Sequence, residues 1–385
     1  MDLFYCFSSS DGDVPVDEAT LTRPFMVAPF EHHPFMTLGD FFSAIRDFIL
    51  SSEGQPLTAL LSRSCNRPVT MKEINRIIIR YEKYGTLYQI VSTEIPVNGS
   101  TVKFAVSTAV SPFAQKTLDR EFKLIGELNH RTSPSYLPQA YYIGTTRVEQ
   151  KGQTATLMMA LSEWFDDYHE WHFSSDNEEG DRIVIWDMGG GNRFASEFES
   201  YEIIQQASRI LTFYYDPCTY CRVAPWHHGG GDFIVKTGAG EVSVKLVTAR
   251  GYDPLSSLSR QRKTNPYNAL LLFFLELTLK MRLDKLEGMG ETTWAGAPVV
   301  RAACHGFLQA TKIKEAQREW GDIEVDNFIA LLQSLTPVEV ERLIRSHLDE
   351  YVSHDTSDYR VVMNHLERHV VDLCSVIGDS SFTNT

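Results

Sequence analysis

The feature that most constrains the fold is a change of hydrophobic period between residues 87 and 129. Leu87-Tyr-Gln-Ile-Val-Ser-Thr-Glu-Ile95 and Thr101-Val-Lys-Phe-Ala-Val-Ser107 are rich in β-branched and aromatic residues, which suit a pleated, half-buried strand. Asn98-Gly99 falls between them, and both residues tolerate the positive φ of a two-residue hairpin turn. The period then lengthens: Leu118, Phe122, Ile125 and Leu128 form one stripe of a helix over Gln115–Asn129. Strand patterns return at Ala140–Gly144 and Thr154–Trp164, the second almost wholly apolar, as a central strand is. Hairpin, helix and further strands predict a mixed α+β chain.

Before this core, residues 1–30 mix short apolar groups with Ser, Asp, Gly and Pro and read as an irregular or strand-like arm. Thr37-Leu-Gly-Asp40 caps an apolar helical face made by Phe41, Phe42, Ile45, Phe48 and Ile49. A second helix is expected over Thr70–Lys83, because Thr70 and Glu73 have the spacing of a capping box. Residues 1–83 therefore read as a mainly helical N-terminal extension. Residues 84–173 read as a small sheet lobe with a hinge, and 174–385 as a large, mainly helical lobe. Ser174–Gly191 is polar and reads as a loop insertion. Glu199–Tyr215 follows as a helix, then a glycine-rich turn, then a hairpin from Phe233–Val235 and Glu241–Thr248. From Pro266 onward the pattern is helical, with Thr336-Pro337 marking one helix start; the last eight residues or so are polar and expected to fray.

Composition narrows the function classes. A chain of 385 residues suits two or three packed units, and 43% hydrophobic with 22% charged residues is the composition of a folded protein. Fifty acidic residues against 36 basic ones give a net charge of −14, which repels a nucleic-acid backbone. The densest basic run, Arg260-Gln-Arg262-Lys263, reads as a solvated loop. Met1-Asp-Leu-Phe4 has neither the basic nor the apolar region of a secretory leader. The longest apolar stretch, Ala269–Phe274, is soon interrupted by Glu276 and Lys280, short of the roughly 18–20 apolar residues of a membrane span. Six cysteines are too few for a disulfide framework in a chain this long. A cytoplasmic protein with neither nucleic-acid nor membrane partners is expected.

The order of elements resembles that of the two-lobed kinase-like fold, in the protein kinases and, in its small hairpin and helical tail, the aminoglycoside phosphotransferase group. The resemblance covers residues 84 to about 375. It implies a strand lysine on the nucleotide phosphates, a helix glutamate pairing with it, a catalytic-loop aspartate as base, and an asparagine and second aspartate on magnesium. Glu121, in Leu-Asp-Arg-Glu-Phe-Lys-Leu-Ile-Gly-Glu-Leu, matches the helix glutamate; its other reading is a solvated side chain. Ser107 takes the lysine position, with Lys103 on the same strand face and otherwise expected to face solvent. Trp226-His-His-Gly-Gly-Gly-Asp-Phe-Ile-Val235 has the setting of the catalytic loop, and two alignments stay open. In one, Asp232 replaces the magnesium asparagine and His227 the base, a role open to histidine because its pKa lies near neutrality. In the other, Gly230-Gly-Asp232 mimics the phosphotransferase His-Gly-Asp triplet, Asp232 is the base and the asparagine is lost. Otherwise the segment is a tight turn whose histidines make structural hydrogen bonds. Val244-Lys-Leu-Val-Thr-Ala-Arg-Gly251 resembles the strand leading to the second metal aspartate, with Thr248 in that position and Asp253 five residues on. Tyr84-Gly-Thr86 and Asn98-Gly99 do not make a glycine-rich nucleotide loop.

The resemblance thus implies either a pseudokinase-like module that binds a nucleotide or a protein partner, or a non-standard small-molecule phosphotransferase using ATP and magnesium. Lys103, Glu121, Trp164 and Thr248 are the nucleotide-site candidates; in the phosphotransferase reading His227 and Asp232 are catalytic candidates, and Asp232 and Asp253 metal candidates. A third reading has the cleft filled by side chains and the protein acting through its surface.

Three other constellations carry weaker signals. Trp164-Phe-Asp-Asp-Tyr-His-Glu-Trp-His-Phe173 falls where the hinge is expected and reads as aromatic packing between lobes; His169 and His172 would share a face on a helix and could hold a metal there, although two ligands do not make a site. Cys218-Thr-Tyr-Cys221 is a lone CxxC with His227 and His228 behind it, read as fortuitous spacing rather than a zinc or redox site. There is no Gly-x-Ser-x-Gly elbow and no complete dinucleotide fingerprint at Gly189-Gly-Gly191.

Overall fold

Alternation decides the first sheet. In Ser100–Ala109, Phe104, Val106 and Thr108 are buried while Lys103, Ala105 and Ser107 are only partly covered, the period of two that separates the faces of a strand. The computed structural model describes residues 1–385 apart from 29, 86, 177–179, 188, 228–230, 239, 260–264, 289, 322, 355, 381 and 383–385. It is a mixed α+β structure, 44% helical and 29% strand, and divides into two units. The first holds Met1–Glu127, Pro138–Asp166 and Met188–Gly190, and the second Leu128–Leu137, Asp167–Asp187 and Gly191–Thr385.

The first unit is built on a seven-stranded sheet. Its order is Val14–Pro15, Asp2–Phe7, Arg76–Tyr84, Gln89–Val97, Ser100–Ala109, Gln153–Glu163 and Ala140–Gln150. Every neighbouring pair is antiparallel except Asp2–Phe7 with Arg76–Tyr84, which is parallel. Asn98 and Gly99 turn the central hairpin at φ 50° and 81°, as the dipeptide predicts. One sheet face is apolar, with Ile77, Ile79, Val91, Phe104, Val106 and Leu161 in a single core with the helix Leu38–Ile49. That helix starts at a capping box between Thr37 and Asp40 and buries Phe41, Phe42, Ile45, Phe48 and Ile49. Phe42 stacks on Tyr5 at 4.8 Å and Phe48 on Tyr142 at 5.2 Å, geometry that adds to the area they bury. The helix Pro112–Arg131 meets the sheet through a smaller cluster of Ala109, Ala114, Leu118 and Ala160.

Residues 1–83 are not a mainly helical extension in content: they supply three strands of this sheet and the hairpin Pro24–Ala28/Glu31–Thr37. The helix expected over Thr70–Lys83 is a single 3-10 turn, Met71–Glu73, followed by the strand Arg76–Tyr84. The capping box between Thr70 and Glu73 does form. The run Ile77-Ile-Ile79, β-branched throughout, then takes the extended conformation its side chains favour.

The second unit carries a five-stranded antiparallel sheet in the order Arg193–Phe194, Gly180–Trp186, His169–Asp176, Phe233–Gly238 and Glu241–Leu246. Ser174–Gly191, read as a loop insertion, contributes most of one hairpin of this sheet, with Ile183, Val184 and Ile185 buried. The same unit holds the helices Glu197–Phe213, which packs on this sheet, and Pro266–Lys280, Ala297–Ala316, Val325–Ser334, Pro337–Tyr351 and Ser357–Gly378. Pro266–Lys280 is buried without a break from Ala269 to Leu279, so it is a core helix, apolar on all sides. The region after Pro266 is helical except for the short hairpin Leu283–Lys285/Thr292–Trp294. No helix among the described residues is long and apolar enough to cross a membrane. Arg260-Gln-Arg262-Lys263 and residues 381 and 383–385 lie outside the described residues, while Phe382, in the segment expected to fray, is fully buried.

Candidate functional site

In the first unit the structure brings two of the sequence candidates together. The Lys103 ammonium lies 4.1 Å from the centre of the Trp164 ring and 3.6 Å from a Glu82 carboxylate oxygen. This corrects the expectation of a solvent-facing lysine: a cation held over an indole and beside a carboxylate is positioned. Its face of the sheet is polar. Arg80 donates to both Asp13 oxygens at 2.5 and 2.6 Å, to Glu94 and to Ser92, and the Asp13 carboxylate above all raises its pKa. Glu121 is 4% exposed and accepts from the Tyr88 hydroxyl at 2.9 Å, so it is not a solvated side chain. Ser107, in the lysine position of the resemblance, pairs with Ile90 and Ala160 on the neighbouring strands.

In the second unit, charged side chains gather near Asp232, just before the Phe233–Gly238 strand. Asp232 is fully buried. Its Oδ1 accepts from Arg250 Nη2 at 2.7 Å, and its Oδ2 from Arg250 Nη1 at 3.0 Å and from the His227 backbone N–H at 2.8 Å. An ionised carboxylate offers about four acceptor positions, and three are used here. Its backbone is fixed as well, since Val247 N–H donates to the Asp232 carbonyl at 2.8 Å. The His227 ring has Asp284 Oδ1 at 3.8 Å from Nδ1 and Asp358 Oδ2 at 3.8 Å from Nε2. Asp284 is itself buried and accepts from the backbone N–H groups of Phe173 and Lys285. Burial lowers the His227 pKa, with the Asp358 charge pulling the other way. Lys280 lies over the Trp226 ring and 3.8 Å from Glu276, and burial lowers its pKa too. Arg222 closes the group by pairing with Glu276 at 2.5 and 3.0 Å.

Magnesium and its usual chemistry need carboxylates that are open to a hard cation. Asp232 is committed to Arg250. Thr248 is buried and neutral. Asp253 is exposed, on a two-residue strand paired with Arg222 and Val223. Among the described residues no three His, Cys, Asp or Glu side chains are grouped to hold a metal ion. The residues present do not fit the magnesium site that the resemblance implies. His228, Gly229 and Gly230 lie outside the described residues.

His169 and His172 are on the strand His169–Asp176, not on a helix. An odd separation on a strand puts side chains on opposite faces, which removes the shared helical face. His172 is buried against Trp186, with ring centres 4.3 Å apart. Cys218 and Cys221 are free thiols in a tight turn, where the Asp216 carboxylate accepts from the Cys218 and Thr219 backbone N–H groups, and burial raises the Cys221 pKa.

Sequence reasoning singled out His227 and Asp232 and missed Arg250, Lys280, Asp284 and Asp358. Arg250 carried one available signal, its place two residues after Thr248 in the segment that should have supplied a metal ligand. Asp358 carried none, since it reaches His227 from a helix 131 positions later. No protein-family model matches the chain, and no curated protein matches it in sequence.

Proposed function

We propose that the chain is a divergent two-lobed kinase-like protein that binds a nucleotide or a protein partner and does not carry out magnesium-dependent phosphoryl transfer. The strand order of the first unit supports the fold part of this reading. From Arg76 onward the five strands lie in the sheet as first, second, third, fifth and fourth, with the helix Pro112–Arg131 between the third and fourth in sequence. In the second unit, the sequence of long helix, charged turn, hairpin and helical tail agrees with the same reading.

The observation that carries the functional part is the Asp232–Arg250 pair. The carboxylate best placed in sequence to act as base or metal ligand is buried and held by a bidentate guanidinium, the strongest geometry for such a pair. The other parts of the phosphoryl-transfer apparatus point the same way, with Ser107 in place of lysine and Thr248 in place of aspartate. A scaffold of this kind whose reactive groups are tied to one another serves as a binding module.

The alternative, a small-molecule phosphotransferase using ATP, has one specific observation in its favour. His227 has a carboxylate on each side of its ring, and burial favours the neutral form that accepts a proton. The two readings separate in an assay of ADP formation, with the full chain, millimolar ATP, magnesium or manganese, and a panel of hydroxyl and amine acceptors. The module reading predicts no turnover above a no-protein control. Turnover that disappears in His227→Ala would establish the phosphotransferase instead.

A further inference from the structure

In the first unit, the strand Ser100–Ala109 has two neighbours in its sheet, and one of them stops short. Gln89–Val97 pairs with it along its whole length, from Thr108 down to Ser100. Gln153–Glu163 pairs with it only from Ala109 to Phe104, which stands opposite Glu163. In continued register Asp166 would face Thr101. It does not pair there; it lines a cleft of about 370 Å³ together with the run Ser100–Lys103. The sheet opens at this point as a fork. Further wall comes from Cys65 and Arg67, which follow the helix Gln55–Ser64.

The hairpin turn fixes which main-chain groups face the fork. Val97 and Ser100 close a two-residue turn and exchange both of their hydrogen bonds. Bonded and unbonded pairs alternate along an antiparallel ladder. Thr101 therefore falls in an unbonded pair, opposite Pro96, which has no N–H to give. Its own N–H and C=O point to the other side, where the neighbouring strand has ended. Ser100 and Thr101 are exposed, and among the described residues no other main-chain hydrogen bond reaches Thr101. The two flanks of the fork differ. Val97 is part of the apolar core and Val102 and Cys65 pack against it, whereas Thr101 and Lys103 are on the polar face of the strand. Both cations on the walls already have partners, Glu73 for Arg67 and Glu82 for Lys103. What the fork offers is main chain between an apolar and a polar flank, and not charge.

We propose that this fork is a peptide-binding cleft, in which an extended segment of a protein partner adds to the sheet beside Thr101, in the place that Gln153–Glu163 leaves open. Strand addition takes its affinity from main-chain hydrogen bonds and its specificity from alternate side chains. The segment that fits alternates an apolar residue, turned to Val102 and Cys65, with a polar one, turned to Thr101 and Lys103. This rests on the partner-binding reading above and gives it a surface and a chemistry.

The test is selection of a random heptapeptide display library on the full chain, followed by calorimetric titration with synthetic copies of the enriched peptides. These are expected to alternate apolar and polar residues. Thr101→Pro removes the outward N–H and spares the bonds of the hairpin, since proline already stands in the facing position. It is expected to weaken binding by about tenfold. N-methylation of every second amide of the peptide should abolish binding, while methylation of the amides between should leave it unchanged; this arm keeps the protein intact and decides the matter if Thr101→Pro fails to fold. Peptides that bind Thr101→Pro as well as the unmodified chain, or that tolerate N-methylation throughout, would overturn the inference and leave a partner-binding protein. No enrichment over the bare support would overturn it together with the protein-partner half of the reading.

Discussion

Asp232 shows what a buried charge demands of its neighbours. Removing one member of a buried ion pair costs about 3–5 kcal/mol, because the other is left desolvated without compensation. Arg250 keeps part of its side chain in solvent, so Arg250→Ala is expected at the lower end, about 3 kcal/mol by urea unfolding. Adding Asp232→Asn to that variant should recover more than half of the loss. A single variant within 0.5 kcal/mol of wild type, a change typical of surface positions, would mean the pair is not formed. His369 makes a second residue-level case. It is fully buried, edge-on to Trp294, and neither ring nitrogen has a hydrogen-bond partner among the described residues. Burial, reinforced by the Arg282 charge, pushes its pKa down to about 3, against about 6.5 in an unfolded chain. Between these values the unfolded chain binds a proton that the folded one refuses. The contribution of neutral His369 is therefore complete above about pH 6.5 and is lost progressively as the pH falls toward 3, by up to about 1.4 kcal/mol per pH unit. His369→Leu should flatten the fall in stability between pH 6.5 and 5 by about 2 kcal/mol; an unchanged slope would contradict this.

Elements in this protein are set by neighbours as much as by their own pattern. The helices Glu197–Phe213 and Ala297–Ala316 approach so closely that a Cβ at Gly306 would lie 2.0 Å from the Gln205 carbonyl oxygen. The contact is backbone, which cannot swing aside, and Ser208 Oγ also donates across it to the Ala303 carbonyl at 2.6 Å. Gly306→Ala is expected to cost about 3 kcal/mol, at the upper end of overpacking, and thermal unfolding would register it; a neutral substitution would mean the helices are further apart. Lys314 does a related task, donating to the Phe213 and Tyr215 carbonyls at the end of the first of these helices. Lys314→Met leaves both acceptors buried and is expected to cost about 1–3 kcal/mol, again read by urea unfolding. Sequence pattern succeeded where the signal was local and failed where it was shared. The Asn98-Gly99 turn, the apolar strand Gln153–Glu163 and the capped helix Leu38–Ile49 were legible because each carries its own signal. The Thr70/Glu73 capping box was legible too, but it caps one turn only. Periodicity could not separate Ile77-Ile-Ile79 as a strand from a helical face. What makes it a strand is pairing on both sides, with Asp2–Phe7 and with Gln89–Val97. Ser174–Gly191 looked like a loop because its apolar residues are few; what makes Ile183-Val-Ile185 a strand is pairing with Trp171–Phe173 on one side and with Arg193–Phe194 on the other.

At the scale of the whole molecule, charge is the common thread. The chain carries −14 overall, yet its second unit gathers cations around buried carboxylates, with Arg222 on Glu276, Arg250 on Asp232 and Arg282 on Asp372. Two residues of the candidate site, His227 and Asp232, were legible from the glycine-rich segment that holds them. The rest was not, because Arg250, Asp284 and Asp358 gain their meaning from distances that only the folded chain has. The central proposal is that the chain binds a nucleotide or a protein partner and does not carry out magnesium-dependent phosphoryl transfer. Thermal unfolding of the unmodified protein with and without millimolar ATP, in EDTA and in magnesium, tests it most directly. A ligand that binds only the folded state at a hundredfold excess over Kd adds about 2.7 kcal/mol of stability. The account predicts a rise in Tm of a few degrees with ATP in both EDTA and magnesium. A rise that occurs only with magnesium would contradict it and favour the phosphotransferase reading instead.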